Sequence, residues 1–135
     1  MLKKNEEYIV DIIDNGFQGE GIAKYDGMAI FIPNAIKGEK VKIKIIKANK
    51  DYGFGKMLEV IETSENREEP ICPNFNRCGG CNLQHMNYET QLELKETLVR
   101  NTLKKALGRE IEVEKVIGMG NPYNYRNKAQ YPVSN

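Results

Sequence analysis

Five short β-type runs are crowded into residues 6–62, and that density limits what the chain can fold into. "EEYIVDII" is rich in β-branched residues, and Gly16, Gly19 and Gly21 in "NGFQGEGIA" permit tight turns after it. "GIAKYDGMAIFIP" reads as a hairpin: Asp26-Gly27 is a type I′ turn signal between apolar arms, and Pro33 ends the second arm. "KGEKVKIKIIK" alternates, with Lys40, Lys42 and Lys44 on one face and Val41, Ile43 and Ile45 on the other. "DYGFG" reads as a glycine-bearing turn and "KMLEVIE" as the last strand.

Five such strands are too few for a sandwich and suit a small, closed or nearly closed barrel of the oligonucleotide-binding (OB-like) type. "TSENREEP" breaks the pattern, being polar, acidic and ended by proline, so residues 64–71 read as a linker. It separates a β-barrel over 1–63 from a second region over 72–135. "NYETQLELKETLVRNTLKKALG" reads as a helix. Asn87 is its N-cap, Glu89 suits the positive end of the dipole, Lys104 and Lys105 the negative end, and Gly108 sits at C′. Tyr88, Leu92, Val99, Leu103 and Ala106, widened by Leu98, form an apolar stripe expected to face a core. "IEVEKVIG" reads as the start of a second β region. The fold class is therefore α+β, mostly β with one long helix. The chain stops just after an apparent strand and reads as a piece of something longer.

Apolar residues make up 40% of the 135 and charged residues 29%, which fits a soluble folded protein. No run approaches the length of a bilayer span, and "MLKKNEEYIVDIID" turns acidic too early for a signal peptide, so the expected location is cytoplasmic. A net charge of +1 rules out a global basic field, so any argument for nucleic acid must rest on a local patch.

"CPNFNRCGGCNLQH", residues 72–85, holds all three cysteines and the only histidine. In a reducing cytosol, clustered thiols point to ligands or catalysts rather than disulfides. The spacing of Cys72, Cys78 and Cys81 is C-x5-C-x2-C, and Gly79 and Gly80 let the backbone wrap an inorganic centre. Thiolates suit iron–sulfur clusters, zinc or copper(I). A cubane wants four protein ligands, whereas zinc could take His85 as the fourth of a Cys3His site. A redox C-x-x-C pair and idle buried thiols are the other readings.

This cysteine motif, followed by "Y-E-x-Q-L-x-x-K", resembles the RNA uracil-5-methyltransferase family that carries a [4Fe–4S] cluster. "YRNKAQYPV" is similar to that family's segment at the start of its central region. "GEGIAKYDGMAIFIPNAIKGEKVKIKI" and "FGKMLEVIE" resemble the TRAM RNA-binding domain that precedes the cysteines in many of these enzymes. The resemblance implies that Cys72, Cys78 and Cys81 are three of four cluster ligands, with the fourth cysteine further downstream. It implies that His85 is not a ligand. It also implies methyl transfer from S-adenosylmethionine to uracil C5, in ribosomal RNA, by a cysteine that adds to C6 of a flipped-out uridine. Those catalytic residues belong to a C-terminal domain, so this chain alone is expected to be inactive, and no protein partner is implied. The main alternative is a stand-alone RNA-binding protein with a structural Cys3His zinc site. A TRAM-bearing radical enzyme would carry C-x3-C-x2-C ahead of the barrel, which is neither the spacing nor the order here.

Residues 37–50 hold six lysines and one acid. Lys40, Lys42 and Lys44 can line up phosphate contacts. Lys47 and Lys50 extend the patch toward Tyr52 and Phe54, aromatics placed in a turn where they can stack on bases. Alternating lysines are also what a solvated strand face looks like. With the resemblance, RNA contact is the expectation, and Arg126 and Lys128 in "YRNK" form a second candidate patch.

Overall fold

The computed structural model describes residues 1–134, so Asn135, the last residue of the 72–135 region, lies outside the described residues. Five strands, β1 (Glu7–Asn15), β2 (Gly21–Tyr25), β3 (Met28–Ile32), β4 (Lys40–Ala48) and β5 (Tyr52–Glu62), close into a barrel in the order β1-β2-β3-β5-β4. The neighbours are antiparallel except β3 and β5, whose parallel pairing closes the sheet. Asp26 and Gly27 both take positive φ (51° and 77°), as a two-residue type I′ turn demands, and Tyr25 pairs with Met28 across it.

The alternation in β4 sends Val41, Ile43 and Ile45 inward, each fully buried. They meet Val10 and Ile12 of β1, Ala23 of β2, and Ile30 and Ile32 of β3, with Leu2 closing one end. β5 starts earlier than the sequence implies. The reverse turn lies at 49–52, where Asn49 N–H donates to the Tyr52 carbonyl (2.8 Å), and "YGFG" is strand. Gly53 and Gly55 serve close packing there rather than turning: a Cβ on Gly55 would stand 3.0 Å from Ile43 Cδ1, and one on Gly53 3.0 Å from Leu2 Cδ1. Tyr52 and Phe54 therefore lie on a strand, not in a turn.

Two helices follow, α1 (Phe75–Cys78) and α2 (Tyr88–Leu107). Asn87 Oδ1 accepts from Thr90 N–H (2.8 Å) at the start of α2, and Gly108 ends it in the left-handed region (φ 67°). None of the described residues of α2 is buried, so the expected core-facing stripe is only half covered. Part of that cover is residues 118–119: Met119 N–H donates to Tyr88 Oη (3.0 Å), and Leu92 packs on Gly118. The expected strand "IEVEKVIG" is absent. Residues 109–134 form no helix or strand, for they have no paired neighbour to satisfy a ladder. No helix of the described residues is long and apolar enough to cross a membrane.

Candidate nucleic-acid interface and cysteine loop

The parallel register sets Ala29 opposite Tyr52 and Phe31 opposite Phe54. Phe31, Tyr52 and Phe54 thereby share the outer face of the barrel. Their ring centroids lie 5.7 to 6.1 Å apart, in tilted and edge-on arrangements. Tyr52 is 41% exposed and Phe54 36%, leaving aromatic surface available to solvent. Lys47 stands opposite Phe54 on β4, so the trio carries a cation at its margin, and Lys50 follows in the β4–β5 turn.

The lysine face differs from a free basic stripe. Lys40 Nζ pairs with Glu62 (3.1 Å) and Asp11 (3.9 Å), and Lys42 Nζ with Glu7 (2.7 Å). These hydrogen bonds and charges push both lysines above the usual range and hold Glu7 below it. Lys44 makes no ion pair among the described residues. Two of the three expected phosphate contacts are thus already neutralised across the strands, and the less encumbered cations lie toward the aromatic end.

In the cysteine segment, Cys72 N–H donates to Gln84 Oε1 (3.2 Å), and Cys78 closes α1. Gly79 turns the chain with φ 69°. A Cβ on Gly80 would stand 3.3 Å from Cys78 Sγ and 3.5 Å from Arg126 Nη1, so a side chain would crowd the hollow beside the thiol. Cys78 and Cys81 are exposed and Cys72 is half-buried. Among the described residues no three His, Cys, Asp or Glu side chains converge as a metal site. Arg126 Nη2 donates to the Gly80 carbonyl (3.1 Å), so this candidate RNA contact is seated on the cysteine loop, while Lys128 is exposed in the irregular segment.

His85 is 2% exposed, its ring tilted at 35° against Phe75 with centroids 5.7 Å apart. Neither ring nitrogen has a hydrogen-bond partner among the described residues. Burial, aided by the Arg67 charge and opposed by Glu39, lowers its pKa to about 4, so the imidazole is neutral near pH 7.

A family model described as the TRAM domain matches residues 2–58. The barrel is a TRAM domain. Beyond the TRAM domain, the likeness to known proteins continues almost to the end of the chain. An RNA methyltransferase of Clostridium tetani is 48% identical over 132 residues, covering 98% of this chain and 29% of the relative. One from Listeria monocytogenes is 47% identical over 133 residues, with the same two coverages. The chain thus spans less than a third of the length of these curated relatives. Among solved structures, the Pyrococcus abyssi tRNA (uracil-54, C5)-methyltransferase aligns with 78% of this chain and 23% of its own, at 28% identity and TM-score 0.48. A conserved protein of Methanococcus maripaludis aligns with 43% of this chain and 83% of its own, at 34% identity and TM-score 0.41.

The TRAM domain also uses residues that sequence reasoning passed over. Glu39, the one acid among the six lysines of 37–50, is 1% exposed. Burial alone would raise its carboxyl, but the Arg67 hydrogen bonds, the Ile36 amide (3.0 Å) and the Arg67 charge outweigh it and hold it below the usual range. Asn15 pins two loops, donating to the Gly19 carbonyl (3.2 Å) in one and, in the other, donating to the Ala35 carbonyl (2.9 Å) and accepting from Lys37 N–H (2.8 Å). Phe31 was legible only as an apolar arm residue, because its partnership with Tyr52 and Phe54 depends on the parallel pairing.

Proposed function

We propose that this chain is the RNA-binding and cluster-binding N-terminal part of an S-adenosylmethionine-dependent methyltransferase that methylates C5 of a uridine in ribosomal RNA. The observation that carries this reading is the physical union of an RNA-binding type of barrel with the C-x5-C-x2-C loop, in a chain about half identical to proteins named RNA methyltransferases. The TRAM domain offers Phe31, Tyr52 and Phe54 as a stacking surface for unpaired bases, with Lys47 and Lys50 placed for the backbone phosphates. Stacking tolerates any base, so this surface grips and orients the RNA while the choice of uridine is made elsewhere.

The donor set of the loop fits a thiolate-ligated centre. Three soft ligands stand within ten residues around a left-handed glycine turn, with two thiols exposed and free to converge. Cys72, Cys78 and Cys81 would hold three corners of a [4Fe–4S] cluster, the fourth ligand being supplied from outside these 135 residues. Such a cluster supplies a compact, charged cross-link between distant parts of the fold. The Cys3His zinc alternative draws no support from His85, which is turned into an apolar contact with Phe75. Methyl transfer itself is assigned to the length of the relatives that this chain does not span.

Anaerobically purified full-length protein tests the reading. It should be brown, with visible charge-transfer absorbance, and should place 5-methyluridine in ribosomal RNA when given S-adenosylmethionine. A colourless protein with one tightly bound zinc would sink the cluster assignment, and methylation confined to transfer RNA would sink the ribosomal one.

A further inference from the structure

The cysteine segment does not hang from the barrel on a free tether. The stretch 64–71 is fastened on both sides. Arg67 reaches into the barrel to Glu39 and to the Asn34 carbonyl (2.6 Å), while its backbone forms an isolated β-bridge with Met86. Glu68 N–H donates to the His85 carbonyl (3.0 Å), and Asn87 N–H to the Asn66 carbonyl (2.8 Å). The other side of the loop touches the barrel too. Leu83 sits on Gly19, where a Cβ would fall 2.3 Å from Leu83 Cδ2, and Asn34 Nδ2 donates to Asn76 Oδ1 (3.3 Å). Between these fastenings stands His85, almost fully enclosed, with its ring on Phe75 at the head of α1, whose last residue is Cys78.

The geometry points to His85 as a positioning residue: its ring, acting by shape, wedges the cysteine loop onto the TRAM domain and so fixes where the thiols stand. Two observations carry this. The imidazole is 2% exposed, so it fills its place by contact with its surroundings. And its contact is to the residue that opens the helical turn leading into Cys78. The barrel is then part of the scaffold of the thiol site as well as an RNA-binding module. This consequence rests on the reading of the thiols as metal ligands, while the wedge itself does not.

Limited trypsin cleavage after Arg77 reads the seating of the loop in the full-length protein. His85→Ala and Leu83→Ala should each raise the cleavage rate roughly tenfold through local opening, while His85→Phe, which keeps a flat ring, should stay within about twofold of the parent. Metal affinity should follow the same order, falling about tenfold in the two loosening variants and holding in His85→Phe, as for other groups that orient ligands without ligating. Loss of metal in His85→Phe with unchanged cleavage would make His85 a ligand and overturn the proposal. Unchanged cleavage in both His85→Ala and Leu83→Ala would overturn it as well. If His85→Ala does not fold, His85→Phe and Leu83→Ala still decide. If the parent binds no metal, the cluster reading fails while the cleavage comparison still judges the wedge.

Discussion

Arg67 and Glu39 meet in a two-pronged ion pair, Nε to Oε1 at 2.6 Å and Nη2 to Oε2 at 2.8 Å, around a carboxylate whose side chain has no exposed surface. The pair ties the segment after β5 to the loop before β4. Removing one partner strands the other charge in a dry site, which costs about 3–5 kcal/mol. Arg67→Met should therefore lower unfolding stability by about that amount in urea titration. A loss below about 1 kcal/mol would show that Glu39 finds another partner.

Acid should loosen the same joint. His85 has its pKa lowered from 6.5 to about 4, so the folded state resists the proton that the unfolded chain accepts. Its share of stability is whole above pH 6.5 and is lost as the pH falls toward 4, on the order of 3 kcal/mol in all. Glu39, held below its ordinary 4.5, adds a further loss as the pH falls through its folded value. His85→Phe should flatten the stability curve between pH 6.5 and 4 and leave the more acidic limb in place. A parent curve that is flat across that window would refute the assignment.

On the RNA side, stacking and charge separate experimentally. Tyr52→Ala and Phe54→Ala should each weaken binding to a single-stranded uridine-containing RNA by about 1–3 kcal/mol, with little change in salt dependence. Lys47→Ala or Lys50→Ala should flatten the slope of log affinity against log salt by about 0.7 for each phosphate left without its cation. Lys40→Ala and Lys42→Ala should do less, because Glu62, Asp11 and Glu7 already occupy those charges. Fluorescence anisotropy at several salt concentrations distinguishes the two classes. An effect of Lys40→Ala larger than that of Tyr52→Ala would move the interface to the lysine face.

Core truncation gives a check on the barrel itself. Ile43 is fully buried and is in the reach of both Gly55 and the β1–β4 pairing. Ile43→Ala should cost about 2–5 kcal/mol in chemical unfolding, far more than truncation of the exposed Ile9 on the neighbouring strand.

Strand content was legible wherever one face is apolar and one wet: the alternation of 40–45 and the Asp26-Gly27 turn carry their own instructions. The caps of α2 were legible for the same reason, since Asn87 and Gly108 act through local backbone geometry. What escaped was long-range. Gly53 and Gly55 look like turn residues until Leu2 and Ile43 are brought against them. Glu39 looks like one more surface charge until Arg67, far along the chain, folds back onto it. "IEVEKVIG" has strand composition but no partner among the described residues, and composition alone does not make a ladder. The thiol spacing reads as a ligand set, yet among the described residues the three thiols do not converge.

The parallel pairing of β3 with β5 has one more outcome. By joining Ala29–Phe31 to Tyr52–Phe54, it occupies over that stretch the two strands that would otherwise border the sheet. Beside the three aromatic rings, therefore, a partner cannot extend the sheet by adding a strand of its own. Whatever docks on that part of the barrel must be recognised by side chains and loop tips, a vocabulary in which flat rings and phosphates read more readily than another polypeptide's main chain.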